Sequence, residues 1–275
     1  MHTRAGRADP RRGNTTAAGI LPAAPRSVSP APPTPANGTD EWATASLLGA
    51  YATAPCPRAP AGRMSDHVVS WAASDEPRFE LAEVLLHLGT LSARGTMLVG
   101  GDDPYRVDYR LDTGPRFITK RLMVQASGRT WERSLRLRRD ADGEWSIRRT
   151  AEAGDDAPLA GADELADALD CDLRFSPLTN TMPMLRHRLT HDFGLGPRAV
   201  CTALVLLPSL AVVRSDQAYE HRRTTPYGAV VSHLAGGLAA DVVVSTDGFV
   251  SDYPGVARRV GPPAPERTAS GGLLH

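Results

Sequence analysis

The sequence has almost no lysine or asparagine: of 31 basic residues only Lys120 is a lysine, and Asn14, Asn37 and Asn180 are the only asparagines. Codons for both are scarce in GC-rich coding, so Asn180, alone beyond residue 63, is expected to have a specific task. Cysteine is sparse as well. Cys56, Cys171 and Cys201 lie far apart with no CxxC pair, which argues against a disulfide framework or a zinc site and fits reduced, mostly buried thiols in a cytoplasmic protein. Net charge is absent, with 31 acids against 31 bases and a pI near 7.1, so no global field draws the chain to nucleic acid or an anionic membrane. No window reaches the roughly 20 apolar residues of a membrane span, and the longest apolar run, Ala203 to Val213, is interrupted by Pro208 and Ser209. GxSxG, HExxH and P-loop patterns are missing, so neither a catalytic residue nor a cofactor is expected.

Composition divides the chain. Ten of the 23 prolines fall in residues 1–63 among Ala, Arg, Gly, Ser and Thr, with almost no apolar periodicity. That segment is expected to be a disordered tail, or an over-extended start of the reading frame ahead of Met64. Arg11 and Arg12 resemble a twin-arginine export signal, but GNTTAAGILPAAP behind them is too short and proline-broken to be its apolar region. Residues 262–275 form a second expected tail, leaving 64–261 as one domain.

Within it the dominant period is two. YRVDYRLDT places Tyr105, Val107, Tyr109 and Leu111 on one face and Arg106, Asp108, Arg110 and Asp112 on the other, the pattern of a half-buried strand. ITKRLMVQA alternates less strictly, and SLRLRR, the turn DADG and EWSIRR read as a hairpin. VCTALVLL, LAVVR, DQAY, GLAADVVVS and FVSDY continue the strands, and RHRLTH (186–191) also reads as strand. FELAEVLLHL is ambiguous between helix and strand, and only ADELADAL (162–169) reads as a short helix. The expected fold is therefore mainly β, an antiparallel roll, barrel-like or sandwich single domain with one or two short helices.

The stretch DCDLRFSPLTNTMP (170–183) carries the most chemistry. Alternation puts Leu169, Cys171, Leu173 and Phe175 on a core face and Asp170, Asp172 and Arg174 on the other. Pro177 and Pro183 fix the backbone of the following loop, where Thr179, Asn180 and Thr181 offer short polar groups to neighbouring backbone. With QAY (217–219), DGFVSDYPG (247–255), Arg258 and Arg259 in the same order and spacing, this stretch resembles the signature of the putative glycolipid-binding family of bacterial proteins. The resemblance extends from about Glu83 to Val260. It implies a spiral β-roll likened to lipoprotein carriers, with a lipid or glycolipid as ligand. One departure is Leu185, which stands where the family is expected to place a second arginine beside Arg186.

Other chemistries remain open on residue type alone. Asp170 and Asp172 could share a divalent ion, as in an enzyme acting on a sugar or polar lipid, although neutralisation by Arg174 or Arg186 is the favoured reading. His187 and His191 have helical metal-ligand spacing but sit in a stretch read as strand, where they would be too far apart. Ser251, Asp252 and Tyr253 alternate faces, so Tyr253 is read as structural. Arg136, Arg138 and Arg148 could line a phosphate- or RNA-binding strip, but without interleaved aromatics they are read as a solvated face. The resulting expectation is non-enzymatic binding of an amphipathic ligand in a β-roll cavity, without a metal, nucleic acid or transmembrane segment. Asp170, Asp172, Arg174, Thr179, Asn180, Arg186, Gln217, Tyr219, Tyr253 and Arg258 would form the binding set or its supporting shell. An interaction domain with a filled core is the remaining alternative.

Overall fold

The computed structural model describes residues 64–191, 194 and 196–261, so both expected tails lie outside the described residues. Seven strands form a first meander: β1 (Met64–Ala72), β2 (Arg78–His87), β3 (Thr90–Val99), β4 (Tyr105–Thr113), β5 (Thr119–Ser127), β6 (Glu132–Arg139) and β7 (Trp145–Thr150). The second half supplies β8 (Asp170–Leu173), β9 (Arg198–Leu206), β10 (Ala211–Thr225), β11 (Gly228–Ala235), β12 (Leu238–Ser245), β13 (Val250–Tyr253) and β14 (Ala257–Val260). All belong to one sheet of order β7-β6-β5-β4-β3-β2-β1-β14-β13-β12-β11-β10-β9-β8. Every pairing is antiparallel except β8 with β9, and the β1–β14 pair joins the two halves at the middle of the sheet.

The sheet rolls onto itself without closing strand to strand. β5 lies far from β8 in sheet order, yet Thr119 N donates to Leu169 O at 3.0 Å and Cys171 N to Thr119 Oγ1 at 2.9 Å. Likewise Arg149 Nε on β7 reaches Ser209 O, in the turn between β9 and β10, at 2.9 Å. Right-handed strand twist accumulated over many strands produces this coiling, and it hides the inner face from water. Trp71, Val84, Leu111, Leu122, Leu137, Leu173, Val205 and Phe249 fill the interior as one cluster. Met184, Val231, Val242, Val244 and Val250 form a second. Each such side chain contributes roughly 1.5 to 3 kcal/mol on burial. The indole of Trp71 is satisfied through Nε1 to Val250 O at 2.8 Å, which ties β1 to β13.

Tyr105–Thr113 is the strand its alternation predicts, with Val107, Tyr109 and Leu111 buried. Several local expectations are corrected. The segment 177–183 is not an irregular loop: Pro177–Asn180 is one turn of 3-10 helix, and α1 (Thr181–Arg186) follows directly. Pro183 sits in the first turn of α1, where its missing N–H leaves no helical bond unmade. RHRLTH is not a strand, since Arg186 ends α1 and residues 187–190 are turn, with Arg188 at φ +55°. The helix expected at 162–169 shrinks to a 3-10 turn, Asp163–Leu165.

The ambiguous FELAEVLLHL resolves as strand, with its faces reversed from what hydropathy suggests. Along β2, Arg78, Glu80, Ala82 and Val84 point inward, while Phe79, Leu81 and Leu85 are 38%, 43% and 41% exposed. Pairing sets this: Trp71 lies opposite Glu80, and Val69 opposite Ala82, so burying the inner face of β1 carries Glu80 inward with it. Strand side chains have a period of two, so a slip of one residue would restore the apolar face of β2 only by breaking this register.

Candidate functional site

The segment from Asp170 to Arg186 holds a buried polar chain. Arg186 caps Asp170 with both guanidinium arms, Nη1 to Oδ1 at 2.7 Å and Nη2 to Oδ2, and the two side chains are 2% and 1% exposed. Burial pushes the Asp170 carboxyl up, and the Arg186 guanidinium pulls it back only in part. Asp172 accepts from Thr179 Oγ1 and from Gln217 Nε2, both at 2.8 Å. Gln217 Oε1 faces His233 Nε2 at 3.1 Å and Tyr219 OH at 2.9 Å, and His233 Nδ1 lies 2.7 Å from Tyr253 OH. Because Gln217 Nε2 donates to Asp172, Oε1 is the acceptor; His233 then carries its proton on Nε2, and Nδ1 accepts from Tyr253. Burial lowers the His233 pKa, which keeps the ring in this neutral form, with Asp172 opposing. The ring also stacks on Tyr219, centroids 4.2 Å apart.

Asn180 completes the chain. Its Oδ1 lies 2.9 Å from Tyr219 OH, whose single proton has Gln217 Oε1 as its alternative acceptor, and its Nδ2 approaches Ser176 O at 3.5 Å, linking β10 to the 3-10 turn. Asn180→Ala is expected to destabilise the fold by about 1 to 3 kcal/mol, because it leaves buried polar groups unpaired. Asn180→Asp should be nearly as damaging. Urea denaturation with an unchanged m-value would measure both.

The same segment feeds a second cluster. Phe175 has φ +71°, a left-handed conformation that strains a bulky residue by roughly 1 to 3 kcal/mol. This turn lays its ring 4.1 Å from the Arg78 guanidinium and aims Ser176 Oγ at Glu80 Oε1, 2.6 Å away. Tyr109 OH donates to the same oxygen at 2.5 Å. Arg78 bonds Glu76 Oε2 through Nη1 at 2.6 Å and Val256 O through Nη2 at 2.8 Å. Burial raises the Glu80 carboxyl to about 7, although Ser176, Tyr109 and Arg78 all pull it down.

An open pocket of about 660 Å³ lies beside Arg78 at the ends of β2 to β5. Its walls include Pro77, Phe79, Leu98, Val99, Pro104 and Tyr105, with Glu76, Arg78 and Arg106 as the charged groups.

The structure thus brings Asp170 and Arg186 together as a buried ion pair, and Asp172, Thr179, Asn180, Gln217, Tyr219 and Tyr253 into a separate hydrogen-bonded chain; none of these side chains lines the open pocket. Arg174 is exposed, its guanidinium 5.0 Å from the Phe175 ring. Arg258 stands apart, paired with Asp252 at 3.0 Å on the surface. Asp170 does not share an outward polar face with Asp172 and Arg174, because it is buried against α1. Sequence reasoning missed His233, since GAVVSHLA was not read as a strand; it forms β11, whose first four residues are all buried and so give no alternation to read. It also missed Arg78, Glu80 and Ser176. Two charged residues alternating with Phe79 and Leu81 were the available signal. Among the described residues, no three His, Cys, Asp or Glu side chains converge as a metal site.

A search of curated proteins returned no match. Among solved structures, the fold is similar to a crystal structure of a DUF1089 family protein from Pseudomonas aeruginosa, at 21% identity and a TM-score of 0.50. That match covers 77% of this chain and 100% of the other. The family profile described as putative glycolipid-binding matches residues 68–259, which include β2 to β13, the buried polar chain and the pocket walls. On that match the chain belongs to the putative glycolipid-binding family.

Proposed function

We propose that the protein binds an amphipathic lipid or glycolipid without transforming it, as a cytoplasmic binder with free thiols. The carrying observation is the open pocket of about 660 Å³, within the size range of small-molecule sites, whose walls are largely apolar and aromatic while Arg78 and Arg106 supply polar anchors. The interior of the roll is occupied by core side chains, so the reading moves the ligand from an inner cavity to this pocket at the strand ends. The buried chain around Asp172 and Asn180 then acts as scaffold that holds the Phe175–Ser176 turn against Glu80. Asp170 and Asp172 are engaged by Arg186, Thr179 and Gln217, which weighs against their acting together as an enzyme's metal pair.

Leu98 is 53% exposed and lines the pocket, so Leu98→Arg is expected to leave folding intact and to weaken binding of a fluorescent fatty acid or glycolipid at least tenfold. Native mass spectrometry of the protein before and after organic extraction tests the same reading. Wild-type protein that arrives empty and takes up neither probe would overturn it.

A further inference from the structure

Behind the open pocket lies a narrow crevice lined by Trp71, Ala73, Arg78, Glu80, Phe175 and Pro177, with no room for a water molecule while Arg78 is in place. Ala73 and Arg78 belong to the walls of both, so the Arg78 side chain stands between them. Glu80 is 2% exposed; both of its hydrogen bonds go to Oε1, and Oε2 makes none among the described residues. A buried carboxyl oxygen left in this state is costly, and native proteins tolerate such groups mainly where a function requires them.

The surroundings are built to hold this carboxyl rather than to avoid it. Tyr109 reaches Glu80 from β4 across the intervening strand β3, over Gly95, where a Cβ would stand 2.4 Å from the phenol. A strand-interior glycine is unfavourable in itself and marks a close approach, here that of the Tyr109 ring. Phe175 carries its left-handed strain at the same place. The reversed faces of β2 put Arg78 and Glu80 inside while Phe79 and Leu81 go to water. Local rules broken together around one carboxyl are the pattern expected of a functional site.

We propose that this crevice is the inner end of the ligand site: Glu80 Oε2 receives a hydroxyl of an uncharged headgroup, and Arg78 is the movable wall that admits it. The inference rests on the open pocket holding the apolar part of the ligand. A hydroxyl fits because it can donate to the ionised carboxyl or accept from the protonated one, and burial places Glu80 where both forms are accessible near neutral pH. A cationic group would meet the Arg78 guanidinium, and an anionic one the carboxyl. Arg78, its side chain 4% exposed, is held by Glu76, by Val256 O and by the Phe175 ring; of these only Glu76, 57% exposed, is a partner that water readily replaces, so the side chain gives way on its Glu76 side, toward the pocket. The crevice is closed to water as it stands, so a headgroup hydroxyl enters only as the Arg78 side chain withdraws toward the pocket.

The test compares n-octyl glucoside, below its micellar concentration, with its per-O-methylated analogue, which keeps tail and ring but has no hydroxyl donor. The full chain is expected to bind the glucoside roughly ten- to a hundredfold more tightly, the range of one hydrogen bond to a buried charged group. Glu80→Leu should reduce that preference to within about threefold while still binding both through the pocket. Because that variant could fold poorly, the wild-type Glu80 carboxyl ¹³C resonance supplies a second measure: it should move with the glucoside and not with the analogue. Equal affinities for the two probes with an unmoved resonance would overturn the inner subsite and leave the pocket reading standing. If neither probe binds the wild-type protein, both fall.

Discussion

Replacing Arg186 by methionine is expected to destabilise the protein by about 3 to 5 kcal/mol, among the largest losses any single substitution should produce here. The Asp170–Arg186 pair is almost wholly removed from water, and taking one partner leaves a charge buried without compensation. Asp170→Asn should cost less, since the amide can still accept from one guanidinium arm. Methionine at 186 together with asparagine at 170 should recover part of the loss, and this coupling distinguishes a paired charge from simple packing. Chemical denaturation of the wild type, both single variants and the double variant measures it. A loss under about 1 kcal/mol for Arg186→Met would show that the pair does not hold α1 against β8.

The second large effect concerns pH. The Glu80 carboxyl titrates near 7 in the folded protein and near its ordinary 4.5 when unfolded, so between these values the native state holds more protons. Its contribution to stability is therefore complete below about 4.5 and is lost as pH rises through about 7. The loss integrates to about 3 kcal/mol. Glu80→Gln cannot ionise, yet its amide oxygen still accepts from Tyr109 and Ser176. The variant is expected to be more stable than wild type by about 2 kcal/mol at pH 8 and close to it or weaker at pH 4. His187, lowered to about 4 by burial and then by Arg186, and His233, also lowered, act with the opposite sign: their contribution is complete above the ordinary 6.5 and is lost as pH falls through the folded pKa. They are common to both proteins, so the difference between the two pH profiles isolates Glu80. A flat difference would mean that Glu80 titrates normally.

Where alternation and hydropathy agree, the strands were legible before the fold was known. Tyr105–Thr113 shows its buried and exposed faces in its residues, because a strand with one wet face must alternate. The stretch 170–183 identified itself by its prolines and its isolated asparagine, and most of its polar side chains are tied into a buried ion pair or a hydrogen-bonded chain. The mainly β class and the family resemblance were likewise contained in the residues.

Tertiary structure alone decided the rest. No local pattern says that Glu80 points inward and Phe79 outward; the register with β1 decides it, since Trp71 is worth more buried than Phe79. Nor does spacing reveal that Arg186 would end a helix over Asp170, 16 residues earlier, or that Ser176 would meet a carboxyl 96 residues away. Secondary structure follows from each residue's neighbours in the chain. A buried charge is placed by whatever the rolled sheet brings against it, and that depends on which side chains must leave water together.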